Sequence, residues 1–405
     1  MIYFLLAILT LIGVYRYDYC DNNHTQNRRI YLIFLCILYI CVAGLRYRLG
    51  QDTLGYLADY EKLKPISIIS GSDFERTRFA PGFVVLTSIF KQFTPDFTFF
   101  QFFHAAVVNS ILFYFFNKYS KHAFFAILIF LFYQYFWFSF QQMREALAVC
   151  VFLMAWPFFR DGKWIWWYAA SFLAFSFHLS ALIMFFLPLI CVPGIKQLFV
   201  FGKRTWIICI GVAIAAYAVQ SVFFKYIELI AMSESLIERA QTYQKSDLGG
   251  GTLNLNGLVA HFFKFIIFPI ASMYFLRKTS GYGIRKQFDK LYAFVLMSVY
   301  ISIVVVFIAI FQRYNNYFFP FATLIMSDWV FGYLYSHKKK IRLNFATWMI
   351  IFLPMFGFFF YTYTQNMNKS GTLKEYMVYY PYRSVLDKTE NQTTEKALMY
   401  KHRNY

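Results

Sequence analysis

Apolar runs of about 20 residues, the length that crosses a hydrocarbon core, recur along the whole of this chain. They do not alternate at period two, as the strands of a membrane barrel would. The pattern predicts an all-α polytopic membrane protein with about 11–13 transmembrane helices of that length. Only 15% of the residues are charged, against roughly 25% in an ordinary soluble domain. Expected spans fall near 2–15, 30–46, 97–116, 122–140, 143–159, 205–223, 257–276, 290–311, 314–335 and 342–363. The run 164–192 would measure roughly 43 Å as one helix, against a core of roughly 30 Å. It reads instead as two short helices meeting near Phe177-His178. The run 79–93 is interrupted by Pro81-Gly82 and ended by Lys91, which predicts a short re-entrant or interfacial helix, tolerated at depth only where protein or a watery cavity surrounds it.

The formal net charge of +19 could point to nucleic acid, but its placement points to topology. The short loops 16–29, 117–121, 160–163, 193–204, 277–290 and 336–342 hold 19 Lys and Arg and four acids; the longer segments 46–79, 224–256 and 364–405 hold 16 and 13. This is a positive-inside bias. It places the short basic loops in the cytoplasm and the long segments outside, and contact with membrane lipid accounts for the basicity. No nucleic-acid partner is expected. The reading is one transmembrane domain over 1–363, with outward loops 47–78 and 224–256, and a polar extracytoplasmic tail over 364–405. Residues 1–15 lack a basic n-region and a small-residue cleavage site and read as a retained span. The six cysteines show no CxxC or Cys/His spacing, so neither a disulfide framework nor a metal site is expected. Gly249-Gly250-Gly251 lacks the Lys-Ser/Thr of a phosphate-binding loop. No internal repeat of 20–50 residues is present.

Ionisable residues near or within spans are costly and mark function. The stretch Arg46-Tyr47-Arg48-Leu49-Gly50-Gln51-Asp52 follows the second span directly; two guanidinium groups and an aspartate are set among glycines that permit tight turns. Snorkelling arginines at a span end are the plainer reading of the same residues. Gln141-Gln142-Met143-Arg144-Glu145 opens a span with an ion pair and two amides. His178 sits at the proposed hairpin apex with Ser180 beside it, and its unperturbed pKa suits a proton carrier. Gln312-Arg313-Tyr314-Asn315-Asn316 separates two apolar runs. Asp328 reads as structural and His261 as interfacial, while His104 and Lys264 carry no assignment. One topology brings Arg46, Arg48, Asp52, Arg76, Arg78, Arg144, Glu145, His178, Arg313 and Arg383 to one side. Arginines around an outward cavity would hold a diphosphate through paired hydrogen bonds, and a carboxylate or imidazole could take a proton from an attacking hydroxyl.

These residues carry a resemblance. The order Arg46…Gly50-x-Asp52-x-x-x-Tyr56, Pro81-Gly82-Phe83, Met143-Arg144-Glu145-Ala146-Leu147-Ala148, Phe177-His178-Leu179-Ser180-Ala181-Leu182 and Arg313-Tyr314 resembles the EpsG-like branch of the Wzy-type polysaccharide polymerases, which build bacterial O-antigen, capsule and exopolysaccharide. It runs from about residue 30 to 335. The resemblance implies a GT-C-type membrane glycosyltransferase in the bacterial cytoplasmic (inner) membrane, its site facing the periplasm or exterior. Donor and acceptor would be oligosaccharide repeat units on undecaprenyl diphosphate, with no cofactor, no metal and no nucleotide sugar. A chain-length regulator and a flippase are candidate partners. By the same resemblance Arg46, Arg144 and Arg313 would grip the donor diphosphate. Asp52, then His178, then Glu145 would be the base; Tyr56 and Arg48 would line the sugar path, with Arg76, Arg78 and Tyr314 in the same substrate-binding set. The competing readings are a flippase or exporter of lipid-linked glycans and a related O-antigen ligase or acyltransferase.

Overall fold

A computed structural model describes residues 2–20, 25–77, 79–230, 255–279, 289–336, 364, 372–388 and 395. The described residues are helical with no strand, and five helices are long and apolar enough to cross a membrane: Ile2–Tyr19, Gln26–Gly44, Phe97–Tyr119, Gly257–Arg277 and Lys290–Phe307. A sixth arises if Leu179–Cys191 and Pro193–Phe199, bent by 93°, count as one broken span. This is fewer than the apolar runs suggest. Several runs are helical but short or interrupted, such as Ala123–Tyr135 and Arg204–Gln220. The expected span 342–363 and the triple glycine 249–251 lie outside the described residues.

The chain folds as two compact units, Met1–Phe186 with Phe359–Arg403, and Leu187–Phe358 with Asn404–Tyr405. In the first unit the helices are α1 (Ile2–Gly13), α2 (Thr25–Gly44), α3 (Thr53–Lys62), α4 (Gly71–Arg76), α5 (Pro81–Phe93), α6 (Phe97–Tyr119), α7 (Ala123–Phe130), α8 (Met143–Arg160) and α9 (Trp164–Phe177). Every residue of α7 is apolar and buried, as expected of a helix with no polar face. α2 and α6 pack closely at Gly44, where a Cβ would lie 2.6 Å from the Phe102 ring. Between α7 and α8 the chain passes through two π-helical turns, Leu131–Tyr135 and Trp137–Gln141, a local underwinding frequent at functional sites. The α5 helix has 13 residues, about 20 Å at 1.5 Å per residue and too short to span. α9 stops at His178, where the backbone turns extended, so the expected break in the run 164–192 is present.

The second unit contains the helices Arg204–Ile230, Leu255–Phe262, Phe268–Thr279, Lys290–Phe307 and Gln312–Ser336. Its interior carries a polar knot. Buried Asn315 accepts from the Ser298 hydroxyl at 2.6 Å and donates to the Ser302 hydroxyl at 2.9 Å. His261 Nε2, buried as well, donates to the Ser302 carbonyl at 2.8 Å.

Candidate functional site

The site is built at one end of the first unit, where α2 finishes and α3, α5 and α8 begin. Its foundation is a problem of unsatisfied carbonyls. The last four C=O groups of a helix lack an intrahelical partner, and beside a membrane interior they need protein donors. All four at the end of α2 find one. Cys41 O accepts from Leu45 N at 2.9 Å, Val42 O from the Tyr382 hydroxyl at 3.1 Å, Ala43 O from Arg46 Nη1, and Gly44 O from Gln101 Nε2 at 2.8 Å. Arg46 is 1% exposed. Its Nε also donates to Leu49 O at 3.1 Å and its Nη2 to Phe140 O at 3.3 Å, with the guanidinium 5.0 Å above the Phe140 ring. Burial pushes its pKa down to about 10, so it stays charged at neutral pH. Each guanidinium nitrogen is spent on a main-chain carbonyl, and the expected diphosphate role of Arg46 does not fit this placement: it ties α2, the following loop and the end of the π turn together.

The loop reverses through two left-handed residues, Arg48 at φ 48° and Gly50 at φ 104°. Thr53 closes it, its hydroxyl 2.6 Å from Leu49 O and 3.3 Å from Phe140 O. Phe140 O thus receives both Arg46 and Thr53. Arg48 is half-buried and pairs with Glu395 at 3.1 Å. Asp52 occupies the N-cap position of α3, where aspartate ordinarily accepts a backbone N–H from an extended conformation. Here its backbone is helical (φ −96°, ψ −1°) and its carboxylate makes no capping bond.

One turn further along α3, buried Tyr56 meets Arg144. Arg144 Nε lies 3.4 Å from the Tyr56 hydroxyl, and the guanidinium stacks 4.6 Å over Phe79 and 6.0 Å from the Tyr56 ring. Phe83 completes the aromatic wall, 5.3 Å from Phe79 and 5.9 Å from Tyr56. Arg144 stands in the first turn of α8, at the positive end of its dipole; the ring faces supply part of the stabilisation the dipole withholds. Glu145 beside it is buried, at the end the dipole favours for a carboxylate. Gly82 brings α5 against α9, since a Cβ there would lie 2.3 Å from the Ser176 hydroxyl. Two residues on, His178 Nδ1 caps the turn Leu179–Leu182, accepting from Ser180 N at 3.2 Å with the Ser180 hydroxyl at 2.6 Å. An accepting Nδ1 puts the neutral ring's proton on Nε2. His178 therefore presents a donor more readily than a base.

Asp52, Tyr56, Arg144, Glu145 and His178 thus share one end of the first unit. Arg313 and Tyr314 open the helix Gln312–Ser336 of the second unit, after a 3-10 turn at Ala309–Phe311. Arg76 closes α4, but its side chain, like Arg78, lies outside what the structure describes. Tyr56→Phe removes only a long hydrogen bond and should cost about 1 kcal/mol of stability or less, against about 3 kcal/mol for Tyr56→Ala, which opens the wall behind Arg144. Thermal unfolding of the purified variants would show the difference.

Of the tail, sequence reading singled out only Arg383 and missed its contact with the loop. Residues 372–388 lie on the loop as a strap: Tyr47 N donates to Arg383 O at 2.9 Å, Gly50 N to Val378 O at 3.2 Å and Val385 N to Leu45 O at 2.8 Å, with a bridge between Arg46 and Ser384. The Tyr3 hydroxyl donates to Tyr379 O at 2.9 Å, and Gln141 Nε2 bonds the Tyr379 hydroxyl. The recurring tyrosines of a polar tail were the available signal.

Helices long and apolar enough to cross a membrane, five of them among the described residues, place the chain among the polytopic membrane proteins. The EpsG family pattern matches residues 29–384, and the chain belongs to that family, one of Wzy-like proteins related to polysaccharide polymerases. The match runs into the strap, ending at residue 384. Comparison with curated proteins and with solved structures returns no match.

Proposed function

We propose that this protein is a polysaccharide polymerase that joins oligosaccharide repeat units carried on undecaprenyl diphosphate. It works at the outer face of the bacterial cytoplasmic membrane, through a GT-C-type arrangement of helices. The observation that carries the reading is Arg144, stacked on Phe79 and tethered to Tyr56 where α3, α5 and α8 all begin. Helix N-termini favour anions. A guanidinium stacked flat on rings has the planar fork that suits a diphosphate.

In the reaction, a hydroxyl at the non-reducing end of the acceptor unit attacks the anomeric carbon of the donor chain. The new C–O bond forms as the bond to the diphosphate oxygen breaks, and the lipid diphosphate leaves with the bonding pair. Arg144 stabilises the charge that grows on the leaving group. Asp52, half-buried at the head of α3, takes the proton of the attacking hydroxyl. His178 Nε2–H donates to an oxygen of the substrate, Glu145 is the buried alternative base, and Arg48 borders the sugar path.

Purified protein given one lipid-linked repeat unit should make a ladder of longer lipid-linked chains, and Asp52→Asn should lower the rate about 100-fold or more with little change in KM, as expected for a group acting in the transition state. Transfer to a different lipid acceptor without elongation would identify a ligase instead. Movement of the intact substrate across a vesicle membrane with no elongation would identify a flippase.

A further inference from the structure

Two buried polar residues of α6, Gln101 and His104, fall outside the family motifs and outside the mechanism above, yet both reach into the site's framework. They are three residues apart on one helix face. Gln101 Nε2 donates at 2.8 Å to both Gly44 O and Arg46 O, the carbonyls on either side of the turn out of α2. One turn along, His104 Nε2 lies 2.9 Å from Met143 O. A carbonyl only accepts, so Nε2 carries the proton, and Nδ1 is buried with no hydrogen-bond partner. That single bond is therefore all the polar work the ring performs. Gln101 is 2% exposed and His104 0% exposed.

Met143 immediately precedes Arg144 and Glu145, and Arg46 heads the loop that ends at Asp52. One turn of α6 thus holds both sides of the site. We infer that Gln101 and His104 are positioning residues, a ruler on α6 that fixes the Asp52 loop against the α8 N-terminus so that base and diphosphate ligand keep their separation. The inference rests on the polymerase reading for its kinetic consequence, but its geometric content stands apart from it.

The test uses the full-length protein in lipid nanodiscs. Four variants are compared: His104→Leu, which removes the donor; His104→Gln, whose amide nitrogen reaches where Nε2 stands; Gln101→Leu; and Gln101→Glu, which keeps the shape and removes the donors. With the polymer-forming assay, both leucine variants and Gln101→Glu should lose about 10-fold or more in kcat with KM for the lipid-linked unit held within about 3-fold, while His104→Gln stays within about 3-fold of the parent. In parallel, spin labels at the exposed positions Ala58 on α3 and Met154 on α8, in a cysteine-free background, should give one narrow distance distribution in the parent and in His104→Gln. The distribution should broaden in the other three. Unchanged distances, or His104→Gln no better than His104→Leu, would overturn the inference. So would kinetic losses that only follow the amount of folded protein. If the parent makes no polymer, the reading of function falls, and the label distances still decide whether α6 sets the spacing.

Discussion

Replacing Arg144 by alanine should reduce polymer formation by at least about 100-fold, and replacing it by lysine should recover only a small part of that. The magnitude follows from what the side chain offers. A charge-assisted hydrogen bond contributes about 1.5–3 kcal/mol, and each 1.36 kcal/mol of lost transition-state stabilisation is about tenfold in rate. On the proposed reaction, two parallel bonds to a leaving diphosphate, one of them strengthened as charge develops, would account for that loss. Lysine keeps the charge but has no planar face to lie 4.6 Å over Phe79 and no fork to present. Chain-length analysis in a strain lacking its own polymerase, with membrane levels of each variant measured by an epitope tag, separates activity from expression. Normal polymer from Arg144→Ala would remove Arg144 from the chemistry.

Gly50→Ala should be nearly as damaging, although it changes no charge. Two penalties act at one residue. A φ of 104° is rarely adopted by residues with a Cβ and costs about 1–3 kcal/mol. The added methyl would lie 2.4 Å from Phe140 O and 2.8 Å from Thr53 Oγ1. Phe140 O is main chain and already holds Arg46 and Thr53, so it cannot retreat without releasing both. The loop must move, and Asp52 moves with it. The expected result is a protein that inserts at near-normal levels, makes polymer at least about 50-fold more slowly (about 2.3 kcal/mol at 1.36 per decade), and shows raised protease sensitivity between residues 45 and 53. Thr53→Val, which loses hydrogen bonds without a clash, should cost only a few-fold. If Gly50→Ala is as active as the parent, the loop has room that the geometry denies.

Much of this architecture is visible in the amino-acid order, and the reasons differ by element. The membrane class follows from runs of apolar residues, a local property. The break at His178 follows from a run too long for one span and too short for two. The short helix at Pro81 follows from a proline and a glycine at its head. By contrast, the role of Arg46 is not a local property. An arginine after a span looks the same whether its donors face a ligand or three carbonyls. Ala43 and Leu49 are sequence neighbours, but the third carbonyl, Phe140 O, is 94 residues away, and its position closes the cage. The same holds for His104, one histidine within an apolar run until Met143 O is found 2.9 Å from its Nε2, and for the strap, whose contacts with the loop are among the longest in sequence.

That last separation bears on biogenesis. Val42 and Tyr382 are bonded across 340 residues, and the strap is translated long after α2 has entered the bilayer. Until the ribosome has delivered the strap, the main-chain N–H groups of Tyr47 and Gly50 lack their partners. A nascent chain therefore holds an unfinished loop until residues 372–388 have been made, and the loop at the head of α3 is closed from a distance rather than by its own neighbours.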